Sequence, residues 1–221
     1  MSGGQGNGRE SGIAAALAVL VRHGLAPERS AALARELGAP VLFDGDDAMF
    51  KALLPQVDTY FEYGCGQSTR YALDHSEAII CAVDTNPDWA ARTRALAGPE
   101  RLQVQWVDVG PVGDWGYPLS FAKRDSFAQY TDWFWTLGLQ PDLVVIDGRF
   151  RVACFLTTLQ RAAPGTTILF DDYTGRPQYH VAEEFLPVIE RCGRQARFEV
   201  DASARGKVSD DLVASFRNVV A

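Results

Sequence analysis

From residue 57 onward, short runs rich in β-branched and aromatic residues alternate with stretches whose apolar residues recur at helical spacing, and this alternation restricts the fold more than any other feature. The runs are VDTYFE (57–62), EAIICAVD (77–84), LQVQWVD (102–108), LVVID (143–147) and TTILFDD (166–172), and helical patterns fill 68–75, 87–96, 126–136 and 150–162. Strands separated by whole helices need crossover connections, which make them parallel and put helices on both faces of the sheet. A helical stretch at 180–191 follows. Then ARFEVDA and DLVASFRNV, joined by the polar SARGKVSD, read as an antiparallel hairpin that closes a seven-stranded mixed sheet. The expected fold is therefore α/β, doubly wound, with a C-terminal hairpin.

Ahead of this pattern stand three segments of different character. MSGGQGNG has four glycines and almost no apolar residue, too little to offset the entropy of ordering, so residues 1–10 are expected to be flexible. Helical spacing returns at 11–23 and 27–37, with Ser11 placed as a cap, Pro27 at a first helical position, and Gly24 and Gly38 as stops. These two N-terminal helices make a cap over 11–50, and 51–221 is the main domain. Residues 1–40 carry only four Arg against three Glu, so a lid or a homodimer contact suits the cap better than DNA reading.

Charge and composition narrow the partners. With 21 basic and 28 acidic residues, net charge −7, the 221-residue chain lacks the basic footprint expected for nucleic acid or anionic membrane, and its bulk charge points to a small-molecule or cationic substrate. The longest apolar run, Ile13 to Val21, is too short to span a bilayer, and a cytoplasmic protein is expected. Cys65, Cys81, Cys154 and Cys192 show neither metal spacing nor a disulfide framework, so they read as reduced thiols, mostly buried.

In a parallel sheet the ligand sits beyond the carboxyl ends of the strands. Those ends are acidic here: Glu62, Asp84, Asp108, Asp147, and the pair Asp171 and Asp172. Singly, each is an ordinary turn former. Together they would repel unless cations or donor-rich ligands lay among them. The loop after the first run, FEYGCGQST, has Gly64 and Gly66 but Thr69 where a third glycine would stand, and Glu62 leading in. A pyrophosphate would meet that carboxylate unfavourably, whereas a ligand bearing an amine and a sulfonium would not. Asp84, 22 residues beyond Glu62, is placed to accept two ribose hydroxyls, and Asp108 with the backbone of Val109 to receive an adenine amine.

On the motifs FEYGCGQS, AVDTNP and WVDVG the sequence resembles the class I S-adenosylmethionine-dependent methyltransferases, from about residue 57 to the C-terminus. The resemblance implies a Rossmann-like sheet and S-adenosylmethionine as cofactor, bound by Glu62, Gly64, Gly66, Ser68, Thr69, Asp84, Asp108 and Val109. Ser68 stands where the family's loop commonly has its last glycine. The D/N-P-P-Y/F motif of many nitrogen methyltransferases is absent.

A narrower likeness joins VVIDGRF and LFDDYTGRPQYHVAEEF to metal-dependent O-methyltransferases of the sugar-hydroxyl type. It implies Mg²⁺ held by Asp147, Asp171 and Asp172, lowering the pKa of a substrate hydroxyl. The alternative is that Asp147 bends the Asp-Gly turn while Asp171 and Asp172 cap or pair with Arg149 and Arg176. Arg149 occupies the position where those relatives carry an acidic residue. Arginine is no base, so Tyr173 and His180 become candidate proton acceptors and Arg149 or Arg151 candidates to grip an anionic substrate. A catalytically inactive module that only binds S-adenosylmethionine is the competing reading.

Overall fold

Side chains of the central sheet divide by the two-residue period of a strand between two apolar layers. The computed structural model describes residues 47–220, together with Leu33, Leu42 and Phe43. The two N-terminal helices and nearly all of the 11–50 cap lie outside the described residues. Among the described residues the chain runs α1 (Ala48–Leu53), β1 (Thr59–Tyr63), α2 (Gln67–His75), β2 (Ile79–Asp84), α3 (Pro87–Arg94), β3 (Leu102–Trp106), α4 (Phe127–Asp132), β4 (Leu143–Ile146), α5 (Arg151–Arg161), β5 (Thr167–Phe170), β6 (Glu190–Cys192), β7 (Gln195–Glu199) and α6 (Asp210–Phe216), with short 3-10 turns between.

The strands form one sheet in the order β3-β2-β1-β4-β5-β7-β6. The first five are parallel, and β7 runs antiparallel to both β5 and β6. Phe61, Tyr63, Val144, Ile146, Ile168 and Phe170 point into one layer, covered by α4, α5 and α6 through Phe127, Tyr130, Phe155, Leu159 and Val213. Tyr60, Leu143, Val145 and Leu169 point into the other, covered by Met49 and Phe50 of α1, Ala72 of α2 and Ala90 of α3. The doubly wound, seven-stranded mixed sheet expected from the sequence is the observed architecture. Cys81, Cys154 and Cys192 are buried, and no helix among the described residues is long and apolar enough to cross a membrane.

The C-terminal hairpin is displaced from its expected place. It joins β6 to β7 through Gly193 and Arg194, with Gly193 at φ 54, a conformation a two-residue hairpin loop needs and glycine supplies. The expected helix at 180–191 is instead a 3-10 segment, Pro177–Glu184, followed by β6. Pro187 explains this, since it cannot donate to a helix interior. The expected second hairpin strand, 211–219, contributes most of α6. Ser209 caps it by accepting the Leu212 N–H at 3.2 Å, and Asp210 and Asp211 sit in its first turn, where acidic residues suit the helix dipole. The apolar residues of that segment, Leu212, Val213 and Phe216, are spaced for one helical face.

Phe127, Tyr130 and Phe134, which follow one another at helical spacing, are buried in the core. Trp135, off that stripe, packs on β1. Its ring meets Phe61 edge-on at 5.5 Å and its Nε1–H donates to the Tyr63 hydroxyl at 3.2 Å.

Candidate functional site

At the carboxyl edge of the sheet, the loop after β1 is fixed by four sets of hydrogen bonds. Gly64, at φ 108, donates its N–H to the Val83 carbonyl at 2.8 Å, and the Cys65 N–H donates to Asp84 Oδ2 at 3.0 Å. Gly66 donates to Thr69 Oγ1 at 3.0 Å, so the threonine in place of a third glycine ties down the N-terminus of α2. The Ser68 and Thr69 hydroxyls both donate to the Glu62 carboxylate. Glu62 is only 1% exposed. Burial raises its pKa to about 7, against the lowering effect of those two hydroxyls. Glu62, Ser68 and Thr69 therefore brace the loop from beneath.

Asp84 accepts from Cys65 on one oxygen and from the Asn86 N–H, at 2.7 Å, on the other. Burial raises its pKa and these backbone donors oppose the rise. Each carboxylate oxygen has two lone pairs, so capacity for two hydroxyl donors remains. Asp108 accepts from the Gly110 N–H at 3.0 Å and pairs with Lys123, which holds its carboxyl below the usual range; Val109 beside it is buried. Lys123 was not singled out in the sequence. It comes from the long segment between β3 and α4, which is tacked to the β2 end where the Thr85 hydroxyl donates to the Gly116 carbonyl at 2.7 Å.

The segment after β4 packs against the β1 loop. A Cβ placed on Gly148 would stand 2.8 Å from the Gly64 nitrogen and 1.9 Å from the Tyr130 hydroxyl, so only glycine fits there. Tyr130 accepts the Arg149 N–H at 3.2 Å. Phe150 (φ 55) and Asp172 (φ 57) both take left-handed backbone at this edge, a strain that side-chain-bearing residues rarely adopt and that gathers at functional sites.

Asp147, Asp171 and Asp172 do come together, each offering a carboxylate oxygen within 4.8 Å of the others. They are already charge-paired. Arg151 reaches Asp147 and Asp172 at 3.2 Å each and also donates to the carbonyls of Gly148, Asp171 and Asp147. Arg194 holds Asp171 at 2.6 Å and Asp172 at 3.3 Å, and Arg176 holds Asp172 at 2.7 Å. Gln195 Nε2 adds a donor to Asp171 at 3.0 Å. A divalent ion would have to displace guanidinium groups from this cluster, and three such groups already balance three carboxylates. The donor set does not fit Mg²⁺.

The pairing alternative read from the sequence is half correct. Arg176 pairs as expected, but the partner on the β4 side is Arg151, and Arg149 makes no side-chain ion pair or hydrogen bond among the described residues. Arg151 is thus committed to internal bonds and cannot grip a substrate. The spacing carried the signal, since Asp147 to Arg151 and Asp172 to Arg176 are both four apart. Arg194 gave no such signal because it reaches the cluster from the β6–β7 turn.

Asp147 alone keeps about a third of its side chain open, 32%. Burial and then the Asp171 carboxylate push its pKa well up, with Arg151 opposing. Tyr173 is fully buried, donates to Glu183 at 3.0 Å, and is held protonated chiefly by burial. His180 packs on the Tyr173 ring with Nε2 3.2 Å from the Tyr173 carbonyl. Those bonds give both residues structural partners away from the β1 loop.

No protein-family profile and no curated protein matches the chain. Among solved structures, a methyltransferase-like protein from Silicibacter pomeroyi is similar at 36% identity over 67% of this chain and 80% of its own, with TM-score 0.62. A putative methyltransferase from Pseudomonas syringae is similar at 16% identity over 70% of this chain and 96% of its own, TM-score 0.42. An S-adenosylmethionine dependent methyltransferase from Mesorhizobium loti is similar at 17% identity, 58% and 55%, TM-score 0.36.

Proposed function

Since the chain belongs to the class I S-adenosylmethionine-dependent methyltransferases, we propose that its pocket moves the donor's methyl group to a hydroxyl of a small molecule, with Asp147 as proton acceptor. One observation carries this reading: Gly148 packs on Gly64, which sets the Asp147–Gly148 backbone directly against the loop expected to hold the methionine part of the donor. In this reading the Gly64–Gly66 backbone supports that part, Asp84 accepts the ribose hydroxyls, and Asp108 with Val109 meets the adenine edge.

The chemistry is an in-line displacement. The substrate oxygen forms a bond to the methyl carbon, the carbon–sulfur bond breaks, and sulfur keeps the electron pair, leaving S-adenosylhomocysteine. The hydroxyl proton passes to Asp147. A carboxylate with a raised pKa and an open face suits that task better than Tyr173, which is buried and already bonded. Arginines occupy the acidic cluster, so the proton is taken by the Asp147 carboxylate itself.

The test is a cell extract supplied with isotopically labelled donor, with products read by mass spectrometry. A methylated hydroxyl compound is expected, together with a loss of about a hundredfold or more in kcat for Asp147→Asn at unchanged S-adenosylhomocysteine affinity. Labelling on nitrogen, or full activity in the variant, contradicts the reading. A second reading, a module that binds the donor without turning it over, draws support from the commitment of Asp171, Asp172 and three arginines to one another. Donor binding with no labelled product under any extract would favour it.

A further inference from the structure

Four arginines and three aspartates meet at the ends of β4 and β5, and the pairing leaves one arginine over. Arg151, Arg176 and Arg194 are bound to Asp147, Asp171 and Asp172. Arg149 is half-buried, its Nε is shut off from water, and that nitrogen has no hydrogen-bond partner among the described residues. A buried donor without an acceptor is rare in a folded chain and calls for a group that the chain itself does not supply. The residue is also fixed in place: its N–H donates to the Tyr130 hydroxyl, and its carbonyl accepts from the Cys154 thiol at 3.3 Å. It follows Gly148 directly, so it stands one residue from the contact with Gly64.

The charge around it is one-sided. Asp147 is near, but Arg151 already holds that carboxylate, and burial together with Arg151 makes the Arg149 cation less favourable than in water. Binding an oxyanion would satisfy the idle Nε and restore the charge balance in one step. A neutral hydroxyl compound would do neither.

We infer that Arg149 receives an anionic group of the methyl acceptor, so that the substrate is a hydroxylated carboxylate or phosphate ester. The inference rests on the methyl-transfer reading above and adds the chemical class of the acceptor. Arginine suits it because its planar fork binds either oxyanion through two parallel N–H bonds.

The experiment titrates the full chain first with S-adenosylhomocysteine and then, once saturated, with benzoate, phenyl phosphate and phenol, followed by calorimetry. Saturable binding of one or both anions and none of phenol is expected, and the better anion identifies the group. Arg149→Gln should weaken anion binding by about ten- to a hundredfold, the range for losing a charge-assisted pair. Arg149→Lys, which keeps the charge without the fork, should fall between. Should the Gln variant fail to fold, the Lys variant alone carries the comparison. Arg205→Gln, whose arginine donates to the Arg161 and Ala162 carbonyls, should leave binding unchanged. Equal anion affinity in wild type and both Arg149 variants overturns the inference, as does absence of anion binding to wild type saturated with S-adenosylhomocysteine, and in both cases the donor reading stands. Failure at the first titration removes the donor reading and the inference with it.

Discussion

The backbones of Gly64 and Gly148 touch across the carboxyl edge of the sheet, close enough that a methyl group on Gly148 would stand 2.8 Å from the Gly64 nitrogen. The contact couples the β1 loop to the segment that carries Asp147 and Arg149. Gly148→Ala should therefore lower stability by about 1–3 kcal/mol, the usual cost of overpacking. It should also weaken S-adenosylhomocysteine binding, because the Gly64 loop must move. Denaturant unfolding and calorimetry measure the two effects, and wild-type values in both would separate the segments.

Asp84 ties the Cys65 N–H to the end of β2 while keeping lone pairs for a ligand. Asp84→Ala should reduce donor affinity by about ten- to a hundredfold through lost charged hydrogen bonds. Asp84→Asn keeps one acceptor oxygen and should lose less. Equal affinity in wild type and the alanine variant would remove Asp84 from the pocket.

Glu62 makes stability depend on pH in a definite direction. Its pKa rises from 4.5 in the unfolded chain to about 7 in the folded one, chiefly by burial. The folded state thus holds the proton more tightly, and the stability this confers is present in full below pH 4.5 and lost as pH climbs to about 7. The loss is on the order of 3 kcal/mol. Unfolding free energies across that window should show this decline in wild type, and Glu62→Gln, which cannot titrate, should lack it. Parallel curves for the two proteins would contradict the assignment.

The arginine-paired acidic cluster makes a testable statement about metal. Millimolar Mg²⁺ should leave the melting temperature of wild type unchanged, because Arg151, Arg176 and Arg194 hold the carboxylates. Arg194→Ala frees one oxygen each of Asp171 and Asp172, so that variant should gain a Mg²⁺-dependent rise. A rise in wild type that equals or exceeds it would return the cluster to metal binding.

Much of this was legible in the sequence, for reasons that are local. The five parallel strands announced themselves because each is a short apolar run bounded by turn residues and followed by a helix. The acidic strand ends could be named because a strand's last residue is fixed by its pattern. The 211–219 segment differs from the expected strand because Val213 and Phe216 suit a strand as well as a helix, and the deciding residue is Ser209, a cap lying outside the apolar run. Arg151 was nearer to legible than Arg149 turned out to be, since a spacing of four puts it beside Asp147. Lys123 and Arg194 were beyond reach. Each meets its partner through a tertiary approach, across 15 and 23 residues, that no periodicity encodes.

That last distance bears on when the rim comes into being during synthesis. Asp171 has left the ribosome well before Arg194, and its strand β5 can join β4 without waiting for the hairpin. Its carboxylate, however, meets its guanidinium only after β7 has docked antiparallel along β5. A chain halted before residue 194 would carry the parallel half of the sheet with Asp147 and Asp172 already met by Arg151 and Arg176, but with the buried Asp171 still lacking its guanidinium. The turn of the hairpin therefore brings in the last of the rim's three paired guanidiniums, and the Asp171 pair should form only after β5 has joined β4 and β7 has joined β5.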